Sequence, residues 1–274
     1  MSYREKSMHD SSSQQYLLTH QYKDSHNLDA RVQLHARFST NKYGWHRWVF
    51  DHFNIPPHAR ILELGCGPAG LWTRNLHRIP IGWEITLSDF SPGMLEQAQR
   101  NLQNSPRPFA FQQLDAQSIP FEDAHFDAVI ANHMLYHVPD KAKALTEIRR
   151  VLKPGGRFYA ATNGLDHMRE LRELLYRFES GTRTLWDDAS FLSFRLENGR
   201  EILSQAFSTI ALHLYEDSLI VTEAAPLVAY VLSMPVSKLI IGEKLTQFNS
   251  FVEQELASHG AIHITKATGL FEAF

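Results

Sequence analysis

Cysteine is almost missing from this chain: there is one, Cys66, in 274 residues. A single thiol excludes an intrachain disulfide and a cysteine metal cluster. Long apolar runs are missing too. The most apolar long stretch, 219–241, is interrupted by Glu223, Pro226, Pro235 and Lys238 and makes a poor membrane span. The opening MSYREKSMHDSSS is polar and charged and lacks the apolar centre of a signal peptide. Charge of one sign is not in excess. Lys and Arg number 27 against 30 Asp and Glu, a formal net charge of −3, so no global field draws the protein to nucleic acid. These absences point to a cytoplasmic protein with neither membrane nor nucleic-acid partners. Its 43% hydrophobic and 21% charged residues are ordinary for a globular fold. The length suits one large α/β domain with an appendage, or two small domains.

What is present centres on RILELGCGPAG, residues 60–70. Ile61, Leu62 and Leu64 make a buried strand, and Gly65, Gly67 and Gly70 follow in the G-x-G-x-x-G spacing of a nucleotide-binding turn. Glycine allows positive φ and lets a ligand touch bare backbone. Glu63 stands two positions before the first glycine. Pyrophosphate beside such a turn would be repelled by that carboxylate, whereas a cationic group would be attracted. S-adenosylmethionine (SAM) carries an ammonium and a sulfonium and no phosphate, so Glu63 favours it over a dinucleotide.

From residue 60 to 163 strands and helices alternate, which implies a parallel sheet with right-handed crossovers. The expected strands are 60–64, 84–88, 109–114, 126–131 and 157–162, with a helix over 71–77 behind the glycine turn. Ser91 and Pro92 read as N-cap and first residue of a further helix. Asp89 lies 19 residues beyond Gly70, where an acidic residue meets ribose hydroxyls in this architecture. A carboxylate suits a vicinal diol because its two oxygens accept two O–H donors. Asp115, with Ala116 beside it, is placed to accept from an adenine amino group, and Phe90 and Met94 to flank the ring. Leu145, Ile148 and Leu152 mark a helix stopped by Pro154-Gly155-Gly156. Beyond residue 163 the pattern predicts helices at 167–179, 198–206, 224–234 and 237–258, and strands at 209–221 and 261–267.

The motifs ILELGCGPAG, LSDFSPGML, QLDAQSIPF, FDAVIANHMLYHVPD and EIRRVLKPGG follow one another in an order that resembles the class I SAM-dependent methyltransferases, in their small-molecule, natural-product and ubiquinone-type branch. The resemblance covers about residues 58–163. It implies an α/β, Rossmann-like, doubly wound sheet of seven strands with the last antiparallel, plus an N-terminal helical lid. It also implies SAM as cofactor, held by Glu63, Gly65, Cys66, Gly67, Gly70, Asp89, Phe90, Met94, Asp115, Ala116 and Asn132. The domain expectation is a lid over 1–57, a SAM-binding core over 58–165, and pocket helices completing the sheet over 166–274. Residues 16–54 are dense in aromatics, and Tyr16, Tyr22, Tyr43 and Asn163 are the candidate substrate contacts.

Methyl transfer from a sulfonium proceeds largely by alignment and water exclusion. A base is needed only where the nucleophile must lose a proton. The candidates are His137, Tyr136 and His133, just past the fourth strand; a His-His pair often stands there in the O-methyltransferases this chain resembles, and here it is Tyr-His. His133-x-x-x-His137 has helical metal-ligand spacing but lacks the Glu of H-E-x-x-H, so no metal is expected. Asn132-His-Met-Leu differs from the Asn/Asp-Pro-Pro-Tyr of nucleic-acid amino-methyltransferases. The expected function is therefore methyl transfer from SAM to a small aromatic or amphiphilic molecule, in a protein that forms a homo-oligomer or stands alone. A non-catalytic nucleotide-binding subunit and an NAD-dependent oxidoreductase are the alternatives.

Overall fold

The computed structural model describes residues 26–185 and 193–274. Its sheet has seven strands in the order β3-β2-β1-β4-β5-β7-β6. The strands are β1 (His58–Leu64), β2 (Gly82–Asp89), β3 (Ala110–Gln113), β4 (Phe126–Asn132), β5 (Leu152–Asn163), β6 (Ile210–Val221) and β7 (Ile262–Ala273). β1 pairs in parallel with β2 and β4, β2 with β3, and β4 with β5, whereas β7 runs antiparallel to β5. The fold is therefore the expected α/β one with an antiparallel last strand. Strand order reverses between β1 and β4, and ligands of open α/β sheets bind outside the carboxyl ends of the strands at such a point.

The helices are α1 (His26–Phe38), α2 (Trp45–Asp51), α3 (Gly70–Thr73), α4 (Pro92–Leu102), α5 (Lys141–Val151), α6 (Arg169–Phe178), α7 (Leu196–Leu203), α8 (Ala224–Leu232) and α9 (Glu243–His259). The described residues fall into two compact units. One holds 43–164, 193–215 and 268–274; the other holds 26–42, 165–185 and 216–267.

In the first unit the strands alternate with period two between two cores. Leu62, Leu64, Val129, Ala131, Phe158 and Ala160 pack on one face. Ile61, Ala128, Ile130, Tyr159 and Ala161 pack on the other with Trp72, Leu95 and Ala98. Val49 and Phe50 of α2 belong to this second core. The second unit has its own core, in which Leu34 and Phe38 join Leu171, Leu175, Leu227, Val231, Phe248 and Val252.

Several boundaries differ from the expected ones for identifiable reasons. The helix behind the glycine turn ends at Thr73 rather than 77. The Asn75 side-chain amide donates to Leu71 O at 2.8 Å while its backbone N–H turns to Trp72 O, so the helical ladder is broken there. Pro154-Gly155-Gly156 does not stop a helix. α5 already ends at Val151, and these residues form a bulge inside β5, where Leu152 faces Phe126 but Arg157 faces Ala128. The helix expected over 237–258 is split, because Gly242 at φ 57° separates a 3₁₀ turn, Pro235–Leu239, from α9. The last strand runs six residues past 267, and those residues, 268–273, are the ones that pair with β5.

Candidate active site

The glycine turn leaves β1 at its carboxyl end. Gly65 has φ 66°, and a Cβ there would lie 2.7 Å from Met134 Cβ. Both the left-handed backbone and this close approach demand glycine. Gly70 is held for a different reason: the ring of His46 sits 3.0 Å from where its Cβ would be. Burial, with the charges of Arg74 and His133 adding, holds His46 down to about 3, so its ring is neutral against the turn. Cys66 N–H donates to Ser88 O at 2.8 Å, which ties the turn to β2. Burial pushes the Cys66 thiol up, which leaves it unreactive.

Asp89 ends β2 beside this turn. One carboxylate oxygen accepts from Gly67 N–H at 2.9 Å and the other from Ser91 N–H at 2.8 Å. Ser91 in turn caps α4 as expected, its hydroxyl accepting from Met94 N–H. The carboxylate keeps acceptor capacity for a further donor such as a diol hydroxyl. Burial raises the Asp89 pKa from the usual carboxylate value, against the pull of its three backbone N–H donors.

Glu63 shares its strand face with Ile61, and Asn132 shares a face with Ile130 one strand away. The two side chains therefore meet. Asn132 Nδ2 donates to Glu63 Oε1 at 3.3 Å, and Trp72 Nε1 donates to Oε2 at 2.6 Å. Glu63 is 2% exposed. Burial pushes its pKa up to about 7, Trp72 and Asn132 pull the other way, and the charge of Asp89 adds to the rise. Asn132 Oδ1 is buried with no hydrogen-bond partner. A carboxyl group poised between states and an orphaned acceptor thus lie side by side beneath bare turn backbone.

Asp115 follows β3. Its carboxylate accepts from Gln117 N–H at 2.9 Å and from the Gln117 side-chain amide, so a local turn fixes it. Ala116 beside it is buried. Phe90 is 36% exposed and Met94 only 2%, so Phe90 has ring surface to offer and Met94 packs beneath.

After β4, His133 adopts φ 53° and donates its N–H to Ala161 O, and its ring lies 5.2 Å from that of Trp45. A 3₁₀ turn, Leu135–His137, follows, so His133 and His137 are not on one α-helical face. The rings of Tyr136 and His137 meet edge to face at 4.5 Å. Among the described residues no three His, Cys, Asp or Glu side chains converge as a metal site. Asn163 Oδ1 accepts from Thr268 Oγ1 at 2.8 Å. The Tyr43 hydroxyl donates to Asp51, the last residue of α2, and the side chain is 45% exposed. Tyr16 and Tyr22 lie outside the described residues. Trp72 and His46 are site residues that the motif reading passes over. The available signal for Trp72 is chemical, since a buried indole N–H needs an acceptor.

Three comparisons bear on this geometry. Residues 62–160 match a family model described as "Methyltransferase domain". Among curated proteins the chain is similar to the ubiquinone/menaquinone biosynthesis C-methyltransferase UbiE of Pectobacterium carotovorum, at 32% identity over 115 residues, which is 41% of this chain and 46% of that one. It is similar to the demethylmenaquinone methyltransferase of Symbiobacterium thermophilum, at 33% identity over 138 residues, 50% of this chain and 54% of that one. The chain thus spans about half the length of the curated relatives it matches. Among solved structures it shares its fold with phosphoethanolamine N-methyltransferase 2 of Haemonchus contortus, with a TM-score of 0.59 at 20% identity over 94% of this chain and 59% of that one. Among the described residues no helix is long and apolar enough to cross a membrane.

Proposed function

We propose, for a chain whose residues 62–160 match a methyltransferase-domain model, that the protein is a class I methyltransferase that transfers a methyl group from SAM to a small aromatic or amphiphilic acceptor. The observation that carries the reading is the meeting of Glu63 and Asn132 under the glycine turn. A buried carboxyl group whose partners are an indole and an amide, beside an acceptor oxygen with no partner, suits a cationic ligand. The pyrophosphate of a dinucleotide would meet Glu63 and Asp89, two carboxyl groups, instead.

The residues fit SAM as follows. Glu63 and Asn132 take the ammonium end. Backbone at Gly65 and Gly67 allows close approach, with Cys66 and Gly70 completing the turn. Asp89 takes the ribose hydroxyls, and Asp115 and Ala116 take the adenine edge, with Phe90 against the ring and Met94 beneath. When bound, SAM supplies an electrophilic methyl on a sulfonium. His137 receives the proton of an acceptor hydroxyl, and the edge of Tyr136 fixes the imidazole plane. The relatives named as C-methyltransferases of ubiquinone and menaquinone biosynthesis favour an aromatic acceptor.

Calorimetry with SAM, S-adenosylhomocysteine, NAD and NADP tests the cofactor. SAM and S-adenosylhomocysteine bind; heat from NAD with none from SAM overturns the reading. Single-turnover methylation with labelled SAM tests the base. His137→Ala lowers the chemical step by roughly 10²–10⁴-fold. Equal rates for both proteins across pH remove His137 from that role.

A further inference from the structure

Gln117 is a polar side chain that the reading above leaves unused, and it reaches from one end of the site to the other. Residues 115–118 make a tight turn, closed by Ser118 N–H on Asp115 O at 2.9 Å. Within it Gln117 N–H donates to Asp115 Oδ1 at 2.9 Å, and the side-chain Nε2 donates to both Asp115 oxygens, at 3.1 and 3.0 Å. The other end of the same amide, Oε1, accepts from Asp140 N–H at 3.2 Å. Both partners fix which way the amide points. An ionised carboxylate only accepts and a backbone N–H only donates, so nitrogen faces Asp115 and oxygen faces Asp140.

Asp140 is where the segment carrying Tyr136 and His137 becomes α5. The backbone donors of that segment can be followed one by one. His137 N–H donates to Met134 O and Val138 N–H to Leu135 O, and Pro139 has no N–H. Asp140 is the N-cap of α5, its side chain accepting from Lys143 N–H at 2.9 Å. A Glu or Gln at the third helical position commonly reaches back to the N-cap N–H. That position here is Lys143, whose ammonium has no acceptor. Gln117 supplies the missing acceptor from the turn after β3. The donor that residues 137–140 do not satisfy among themselves is thus held by a side chain whose other end grips Asp115.

Two hydrogen-bonded steps in series therefore join Asp115 to Asp140. An amide that accepts at its oxygen donates more strongly at its nitrogen, so the two steps reinforce each other. A ligand that fixes the Asp115 carboxylate fixes the relay as far as the N-cap, and coupling of this kind is reciprocal.

We propose that Gln117 is a positioning residue that couples the adenine end of the SAM site to the segment bearing Tyr136 and His137, so that cofactor binding sets the place of the acceptor's base. The relay rests on the methyl-transfer reading, in which Asp115 takes the adenine amino group.

The test needs no methyl acceptor. Hydrogen exchange of individual amides is followed in the full-length protein, alone and saturated with S-adenosylhomocysteine or with its analogue carrying unsubstituted purine in place of adenine. Calorimetry gives the affinities. The purine analogue has no amino donor for Asp115. In the wild type S-adenosylhomocysteine slows exchange at Asp140 N–H, and the purine analogue does not. Gln117→Ala exchanges faster at Asp140 without ligand, binds S-adenosylhomocysteine roughly three- to tenfold more weakly, and shows no slowing on binding. Gln117→Glu keeps an oxygen for Asp140 and loses the donors for Asp115, so Asp140 stays slow without ligand while the response to ligand is lost. A Gln117 that is merely structural would speed exchange in Gln117→Ala and leave the ligand response intact, and that result overturns the relay. Wild-type protein that binds S-adenosylhomocysteine with no slowing at Asp140, or that is slowed equally by the two ligands, overturns the relay and leaves the cofactor assignment standing. These wild-type comparisons decide the matter even where a variant does not fold. A wild type that does not bind S-adenosylhomocysteine overturns the methyl-transfer reading and the relay with it.

Discussion

Replacing Glu63 by Gln separates a charge from a shape. The amide fills the same space but cannot ionise. In the wild type the carboxyl titrates at about 7 instead of its ordinary 4.5. At about 1.36 kcal/mol per pH unit that gap corresponds to about 3 kcal/mol. The sign follows from proton counts. Between 4.5 and about 7 the unfolded chain has lost this proton and the folded chain still holds it. Stability therefore falls as pH rises through that window, and the full loss is present above it. Glu63→Gln should lack this dependence, so its stability relative to wild type should improve by about 3 kcal/mol between pH 4.5 and pH 8. Urea denaturation at a series of pH values measures the difference. A cation bound beside Glu63 lowers its pKa, so at pH 6, where most wild-type molecules carry the proton, SAM binding should release close to one proton that Glu63→Gln does not release. Calorimetry in buffers of different ionisation enthalpy counts it. Parallel stability curves for the two proteins, or equal proton release, would refute the reasoning.

Two further outcomes follow from the same site. Asp89→Ala removes a carboxylate whose lone pairs face donors and should weaken SAM binding by roughly ten- to a hundred-fold, corresponding to about 1.5–3 kcal/mol for charged hydrogen bonds, while the protein stays folded; unchanged affinity by calorimetry takes Asp89 out of the site. Gly65→Ala places a Cβ 2.7 Å from Met134 in a backbone that disfavours it, so it should lose stability and SAM affinity together. Met134→Ala in the same chain should restore part of both, because it relieves the clash and not the strain, and no rescue at all would discount the contact.

What the sequence made legible was local. The turn at Gly65, the cap at Ser91 and the acid at Asp89 follow one another within a short span, and each obeys a spacing rule that backbone geometry imposes. What stayed hidden depends on partners far apart in sequence. Glu63 reads as a strand-end carboxylate, and its burial between Trp72 and Asn132 is visible only once β1 and β4 are adjacent. Glycines mislead for a related reason. Pro154-Gly155-Gly156 has the composition of a helix stop, yet tertiary pairing across β4 and β5 makes it a bulge.

The place of β7 in the sheet governs how this chain can be assembled. Residues 268–273 lie in register along β5, with β6 on the other side of β7. The strand that comes last in the chain thus fills an interior slot. During synthesis β5 and β6 are complete while the gap between them is open, and β5 presents an unsatisfied row of N–H and C=O groups from 158 to 163 until its antiparallel neighbour arrives. An open edge of that kind is a template for another chain. A ribosome stalled near residue 262 would hold an adhesive intermediate, and the emergence of residues 262–273 becomes the step that closes the sheet.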